Sequence, residues 1–197
     1  MAGTLSELAD RGALAEQARQ VLEANRAQGT SDWEGRTYDF VCPSRSTYPF
    51  QWFWDSAFHA IALLQVDAEL SKQEIRCLLQ AAQPDGFIPH VLLWDRANHE
   101  AELHRCELAL AGPHFSATIQ PPVIARAVER IYRQTKDEAF VREVLPRTVR
   151  FFNWLGHYRD PDHDGLISII QPDESGLDAS PKYDVPMGFS GRATVVA

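Results

Sequence analysis

The sequence predicts an all-α domain. Apolar residues recur at helical spacing in three stretches: Ile75, Leu78, Leu79 and Ala82; Ile124, Ala127, Val128 and Ile131; Val141, Val144 and Leu145. Helix-start signals recur too, as T-x-x-E at Thr4 and Glu7, S-x-x-E at Ser71 and Glu74, and the first-turn prolines Pro49, Pro121 and Pro122. One segment alone, LISII at 166–170, is short, apolar and β-branched enough to read as a buried strand.

Taken in order, a first helix follows Thr4 with Leu14, Ala18, Val21 and Leu22 on one side, and fades near Gly29. Residues 29–47, rich in Ser and Thr with Gly35 and Pro43, read as loop. A second helix is predicted from Pro49 to about Gln65 and a third from Ser71. QPDGFIPH at 83–90 breaks the pattern, and residues 91–117 read as mixed. Helices then start after Pro122 and at Asp137. In the last, Pro146 predicts a kink or restart before Val149 and Phe152 continue the stripe to about Tyr158. The result is five or six helices in antiparallel succession, with loops long enough to suggest function.

The 197 residues suffice for one domain with a sizeable core. The formal net charge is -8 with scattered basic residues, which argues against a nucleic-acid partner. MAGTLSELAD has neither the basic nor the apolar region of a signal peptide, and no apolar run approaches the ~18–20 residues of a membrane helix. Cys42, Cys77 and Cys106 are odd in number and form no CxxC pair, which fits a reducing, cytoplasmic setting. The chain ends in GFSGRATVVA, an apolar run with no capping helix.

Four clusters carry candidate chemistry. In YPFQWFWDSAFHA at 48–60, Trp52, Asp55 and His59 share a helical face with Tyr48 at its entrance. An aromatic plane can cover the C–H side of a pyranose while a carboxylate accepts its hydroxyls; an aromatic core helix with one capped Asp is the alternative. In QPDESGLDASPKYD at 171–184, Asp173, Glu174, Asp178 and Asp184 crowd a turn containing Gly176. Glycoside hydrolysis needs a carboxylic acid to protonate the leaving oxygen, but a solvated acidic loop has the same composition. Asp160, Asp162, Asp164 and Gly165 match the start of a calcium loop. Gln171 stands where that loop needs Glu, so a tight Asp-rich turn is the preferred reading. HEAELH at 99–104 is one residue too long for a zinc helix: five residues overshoot a full turn by about 140°, so His99 and His104 diverge.

QWFWDSAFHAI at 51–61, DGFIPH at 85–90, ATIQPPVIARAV at 117–128, DGLISI at 164–169 and ESGLDASPKYD at 174–184 together resemble glycoside hydrolase family 63, most of all its bacterial mannosylglycerate and glucosylglycerate hydrolases. The ESGxDxSP element is also similar to one in trehalases. The resemblance implies an (α/α)6 toroid of six helical hairpins, with residues 1–197 as the N-terminal half of its single catalytic domain. It implies an inverting α-glycosidase acting on a small glycoside, with no cofactor and no metal. Asp178 occupies the general-acid position. Tyr48, Trp52, Asp55 and Gln120 occupy positions that hold the sugar next to the scissile bond. Gly176 lies where backbone approaches the sugar, and His90 lines the pocket. The family's base is a Glu farther along the chain, with no counterpart here, so this segment alone is expected to be inactive. Two positions depart from the family: Asp173 stands where an aromatic is usual, and Ala179 where Asn is common. A trehalase or oligosaccharide α-glucosidase is the rival enzyme. A non-catalytic carbohydrate-binding half-barrel is the rival of another class.

Overall fold

The computed structural model describes residues 5–96, 110–178 and 180–186. In order come α1 (Leu5–Ala24), β1 (Arg26–Thr30), β2 (Thr37–Val41), β3 (Gln51–Trp52), α2 (Phe53–Leu63), α3 (Ala68–Gln80), β4 (Val91–Leu92), β5 (Leu110–Gly112), β6 (Phe115–Ser116), α4 (Ile124–Thr135) and α5 (Glu138–Tyr158). Two 3₁₀ turns follow, at Pro172–Ser175 and Pro181–Tyr183.

Helices α2 to α5 pack around one core. Phe53, Ala57 and Ala60 of α2 meet Ile75, Leu78 and Leu79 of α3, Ile124, Ala127 and Ile131 of α4, and Phe140, Val144, Phe151 and Leu155 of α5. The predicted stripe of α4 is buried as expected, and so is that of α3 apart from Ala82, which lies past the helix end and is half-buried. That of α5 is rotated: Phe140, Val144, Thr148, Phe151 and Leu155 face inward, while Leu145, Val149 and Phe152 are exposed. The helix also runs through Pro146 without restarting. Pro146 and Arg142 both lie on the exposed side, where a carbonyl left without its N–H can meet water.

Capping differs from the sequence pattern at α3. Asp67 is the cap, accepting from the N–H groups of Glu69 and Leu70. Ser71 and Glu74 instead point into the core. Ser71 Oγ donates to the Ala60 carbonyl at 2.6 Å, and Glu74 Oε2 accepts from Val41 N at 2.7 Å. Asp137 caps α5 as its position predicts, accepting from Phe140 N. Its second oxygen takes a 2.7 Å bond from the buried Lys72 Nζ, which ties α3 to the start of α5.

The chain is helix-rich but not all-α. Residues 26–41, expected to be mostly loop, form an antiparallel hairpin in which Arg26 pairs with Val41 and Thr30 with Thr37. Its strands are polar, so hydrophobic alternation does not reveal them. Two forces replace it: the bidentate Arg26–Asp39 ion pair, and the close fit of Tyr38 over Gly29, where a Cβ would lie 2.6 Å from the Tyr38 hydroxyl. A second antiparallel sheet, ordered β3-β4-β6-β5, gathers four short strands from the segment read as mixed and from the start of the helix predicted at Pro49, which begins only at Phe53. LISII is not a buried strand. Leu166 and Ile170 are each 70% exposed after the Asp-rich turn, in a stretch that forms no strand and whose Ser168 N and Ile170 N bond to Arg159 O and Glu174 Oε2 instead. Its β-branched residues satisfy a local propensity that no partner strand among the described residues completes.

Glu74 is buried among Phe40, Val41 and Leu63, and its Oε1 meets no hydrogen-bond partner among the described residues. Burial pushes its carboxyl up from 4.5 to about 8. The folded state therefore prefers the protonated acid: the favourable contribution is complete below pH 4.5 and is lost as pH rises through about 8. Glu74→Gln keeps an acceptor for Val41 N and removes the titration. Wild-type stability should fall between about pH 5 and about pH 9 more steeply than the variant's, by on the order of a few kcal/mol. Urea denaturation at both pH values checks this, and parallel pH profiles would reject it.

Candidate active site

The site is organised by the N-terminus of α2. β3 runs directly into this helix, and Trp52, at the cap position, offers no side-chain cap. The orphan N–H groups of the first turn find distant acceptors instead. Phe53 N donates to the His90 carbonyl at 2.9 Å, and Trp54 N donates to Gln120 Oε1 at 2.8 Å. Both His90 and Gln120 are 4% exposed. The half-buried carboxyl of Asp55 is raised above its ordinary value by burial, with the Gln120 side chain pulling the other way.

Around this helix end lie the aromatic groups. Tyr48 meets Trp52 edge-on at 5.9 Å between ring centroids, and Trp52 meets His90 edge-on at 5.2 Å. The Trp52 indole N–H is buried and has no acceptor among the described residues. Burial drives the His90 imidazole down to about 3, so it is neutral near pH 7. Its Nδ1 lies 3.3 Å from Thr118 Oγ1. His59, grouped by spacing with Trp52 and Asp55, is taken up by the fold: its Nδ1 lies 2.9 Å from the Val41 carbonyl of β2.

The acidic loop approaches from the other side. Pro172–Ser175 forms a 3₁₀ turn closed by Gly176 at φ 69°. Only glycine fits there, because a Cβ would lie 2.2 Å from Cη2 of Trp54. The loop thus rests on the residue beside Asp55. Asp173 is half-buried, and its carboxyl is raised by burial and then by the negative charge of Asp178. Asp178 itself is exposed.

Tyr48, Trp52 and His90 therefore form one contacting group, and Asp55, Gln120, Trp54 and Gly176 another, joined at the start of α2. Asp178, two residues after Gly176, is exposed. A polar cavity of about 190 Å³ between Tyr38, Arg45, Phe50, Trp94 and Asp95 contains none of the predicted site residues. Sequence reasoning overlooks Trp54, whose only signal is adjacency to Asp55, and Arg159; it groups Glu174 with the acidic turn but does not reveal its buried pairing with Arg159. Asp160, Asp162 and Asp164 bring their carboxylates within 4.8 Å of one another. Two of them accept from Gly165 N and Leu166 N, as an Asp-rich turn does. HEAELH at 99–104, Cys106 and Ala179 lie outside the described residues.

A helical scaffold that gathers aromatic rings, an amide and a carboxyl group at one helix end has groups that a carbohydrate-processing site uses. Residues 48–193 match the model of the mannosylglycerate hydrolase MGH1-like glycoside hydrolase domain, and the chain belongs to that family. It is 38% identical over 156 residues to a mannosylglycerate hydrolase of Thermus thermophilus, covering 75% of this chain and 37% of that protein. It is 33% identical over 153 residues to a glucosylglycerate hydrolase of Mycolicibacterium hassiacum, covering 70% and 34%. The fold superposes on a crystal structure of a GH63 mannosylglycerate hydrolase from Thermus thermophilus in complex with Tris and D-glycerate. The TM-score is 0.74 at 34% identity, over 89% of this chain and 40% of that one. The chain thus spans little more than a third of the length of the curated relatives it matches. No helix among the described residues is long and apolar enough to cross a membrane.

The Gly176–Trp54 contact yields a paired test. Gly165 also has positive φ, but a Cβ there would meet open space. Gly165→Ala should cost only backbone strain, about 1 kcal/mol. Gly176→Ala should cost at least about 1 kcal/mol more and shift tryptophan fluorescence. Equal melting-temperature losses would show that Trp54 does not depend on the glycine.

Proposed function

We propose that residues 1–197 are the N-terminal half of an (α/α)6 glycosidase domain. The whole protein is an inverting α-glycosidase acting on a small α-glycoside such as glucosylglycerate or mannosylglycerate. The observation that carries this reading is the junction at α2, where Gln120 holds Trp54 N, Trp54 supports Gly176, and Gly176 delivers the loop bearing Asp178. The named activities of the relatives and the D-glycerate bound in the Thermus structure support the substrate class.

In this reading Asp178 protonates the leaving oxygen. Tyr48, Trp52, Asp55, Gln120 and Gly176 hold the sugar, with neutral His90 behind Trp52. The ring of Trp52 supplies a face for the sugar's C–H side and the carboxylate of Asp55 an acceptor for its hydroxyls. No cofactor is required, because protonation and water attack complete the hydrolysis. Inversion requires a second carboxylate about 6.5–9.5 Å from the first, across the ring. Asp173 and Glu174 share the acid's own loop, and Asp55 is placed to hold hydroxyls. The base is therefore assigned to the remainder of the protein.

In the full-length protein, Asp178→Asn should lower kcat on the natural glycoside by about 10²–10⁴-fold. It should leave melting unchanged and lose far less on an aryl glycoside with a good leaving group. Near wild-type turnover of the natural substrate would remove Asp178 from the mechanism. Residues 1–197 alone should hydrolyse neither glucosylglycerate, mannosylglycerate nor trehalose; brisk turnover by the isolated segment would contradict the assignment of the base elsewhere.

A further inference from the structure

Glu174 and Arg159 are both buried, at 2% and 6% exposure, and neither has a part in the chemistry described so far. Their arrangement is bidentate: Arg159 Nη1 donates to Glu174 Oε2 at 3.0 Å, and Nη2 to Oε1 at 2.7 Å. The same carboxylate takes two backbone bonds. Ile119 N donates to Oε1 at 3.0 Å and Ile170 N to Oε2 at 2.5 Å. One side chain thus joins three segments: the stretch ending in Gln120, the end of α5, and the loop that leads to Asp178.

A buried ion pair is a weak device for stability alone, since well-packed apolar groups serve as well. What a carboxylate adds is direction. Its planar acceptor sites match a guanidinium fork and fix the two N–H groups in one plane. Arg159 is itself fixed at the C-terminus of α5, where helix carbonyls favour a cation, and its own carbonyl accepts from Ser168 N at 2.6 Å. The loop therefore has two independent supports on either side of its turn. Glu174 sets it against residue 119, beside Gln120, and Gly176 sets it against Trp54, beside Asp55.

We infer that the Glu174–Arg159 pair is the positioning element that fixes the distance between the acid loop and the sugar-holding segment. This rests on the reading of Asp178 as general acid. Glu174 touches no reacting atom; it acts through the placement of Asp178. A loop released at Glu174 would leave sugar binding by Gln120 and Asp55 largely intact while the acid lost its alignment. The defect should fall on kcat, and most heavily where protonation of the leaving group matters most.

The test uses the full-length protein carrying Glu174→Gln, with Lys72→Met as a control that breaks a different buried ion pair. Glu174→Gln should lose about 10²-fold in kcat on an unactivated glycoside and less than about 10-fold on an aryl glycoside with a good leaving group, with KM little changed. Lys72→Met should leave the ratio of the two substrates at the wild-type value at a similar loss in melting temperature. Equal losses on both substrates in Glu174→Gln would overturn the inference. Should that variant fail to fold, Arg159→Lys keeps the charge and removes the fork, and the same ratio decides. Wild-type protein inactive on both substrates would count against the proposed function instead. The positioning claim is then read from hydrogen exchange in Glu174→Gln: selective loss of protection in residues 171–178 sustains it, and unchanged exchange there overturns it.

Discussion

The start of α2 imposes the constraint around which the rest is arranged. A helix needs acceptors for its first N–H groups, and this one begins straight from a strand, with a tryptophan where a capping side chain would stand. The deficit is met by the backbone of His90 and the side chain of Gln120. Two otherwise distant loops are drawn to one helix end, and with them come the groups that make the candidate site. Capping and site assembly are here the same interaction.

Electrostatics follows from that crowding. Asp55 and Asp173 are both held above their ordinary carboxyl range, chiefly by burial, and His90 is held neutral. Lowered access to water disfavours charge on all three, whichever sign it carries. Glu174 sits deeper still, yet it meets an arginine fork and two backbone N–H groups. Within one short loop, neighbouring carboxyl groups therefore occupy different surroundings: Glu174 fully partnered, Asp173 half-buried, Asp178 open to solvent.

The helical core is legible in the sequence because its signal is local. The stripes of Ile75 to Leu79 and Ile124 to Ile131 and the cap at Asp137 depend on residues a few positions apart. The β1–β2 hairpin is not legible, because it rests on one ion pair and one aromatic–glycine contact rather than on alternation. LISII misleads for the converse reason: strand propensity without a partner strand among the described residues produces no strand. The Ser71 and Glu74 pattern matches a capping box, but burial turns both side chains toward tertiary acceptors and donors. Among the candidate site residues, motif resemblance marks Gln120 and Gly176, while their physical roles, capping α2 and clearing Trp54, need three dimensions.

The same long-range caps bear on the order in which the chain can fold as it is made. Trp54 waits for a partner 66 residues farther along, and Ile119 for one 55 residues beyond itself. Helix α2 therefore leaves the ribosome with its first turn unsatisfied and cannot close until residue 120 has emerged. The α3 cap, by contrast, is complete within three residues. Closures of such large sequence separation carry a loop-entropy cost before any contact repays it. The α3 turn is thus available as an early, local nucleus, and the first turn of α2 gains its Gln120 acceptor only after that segment has been made.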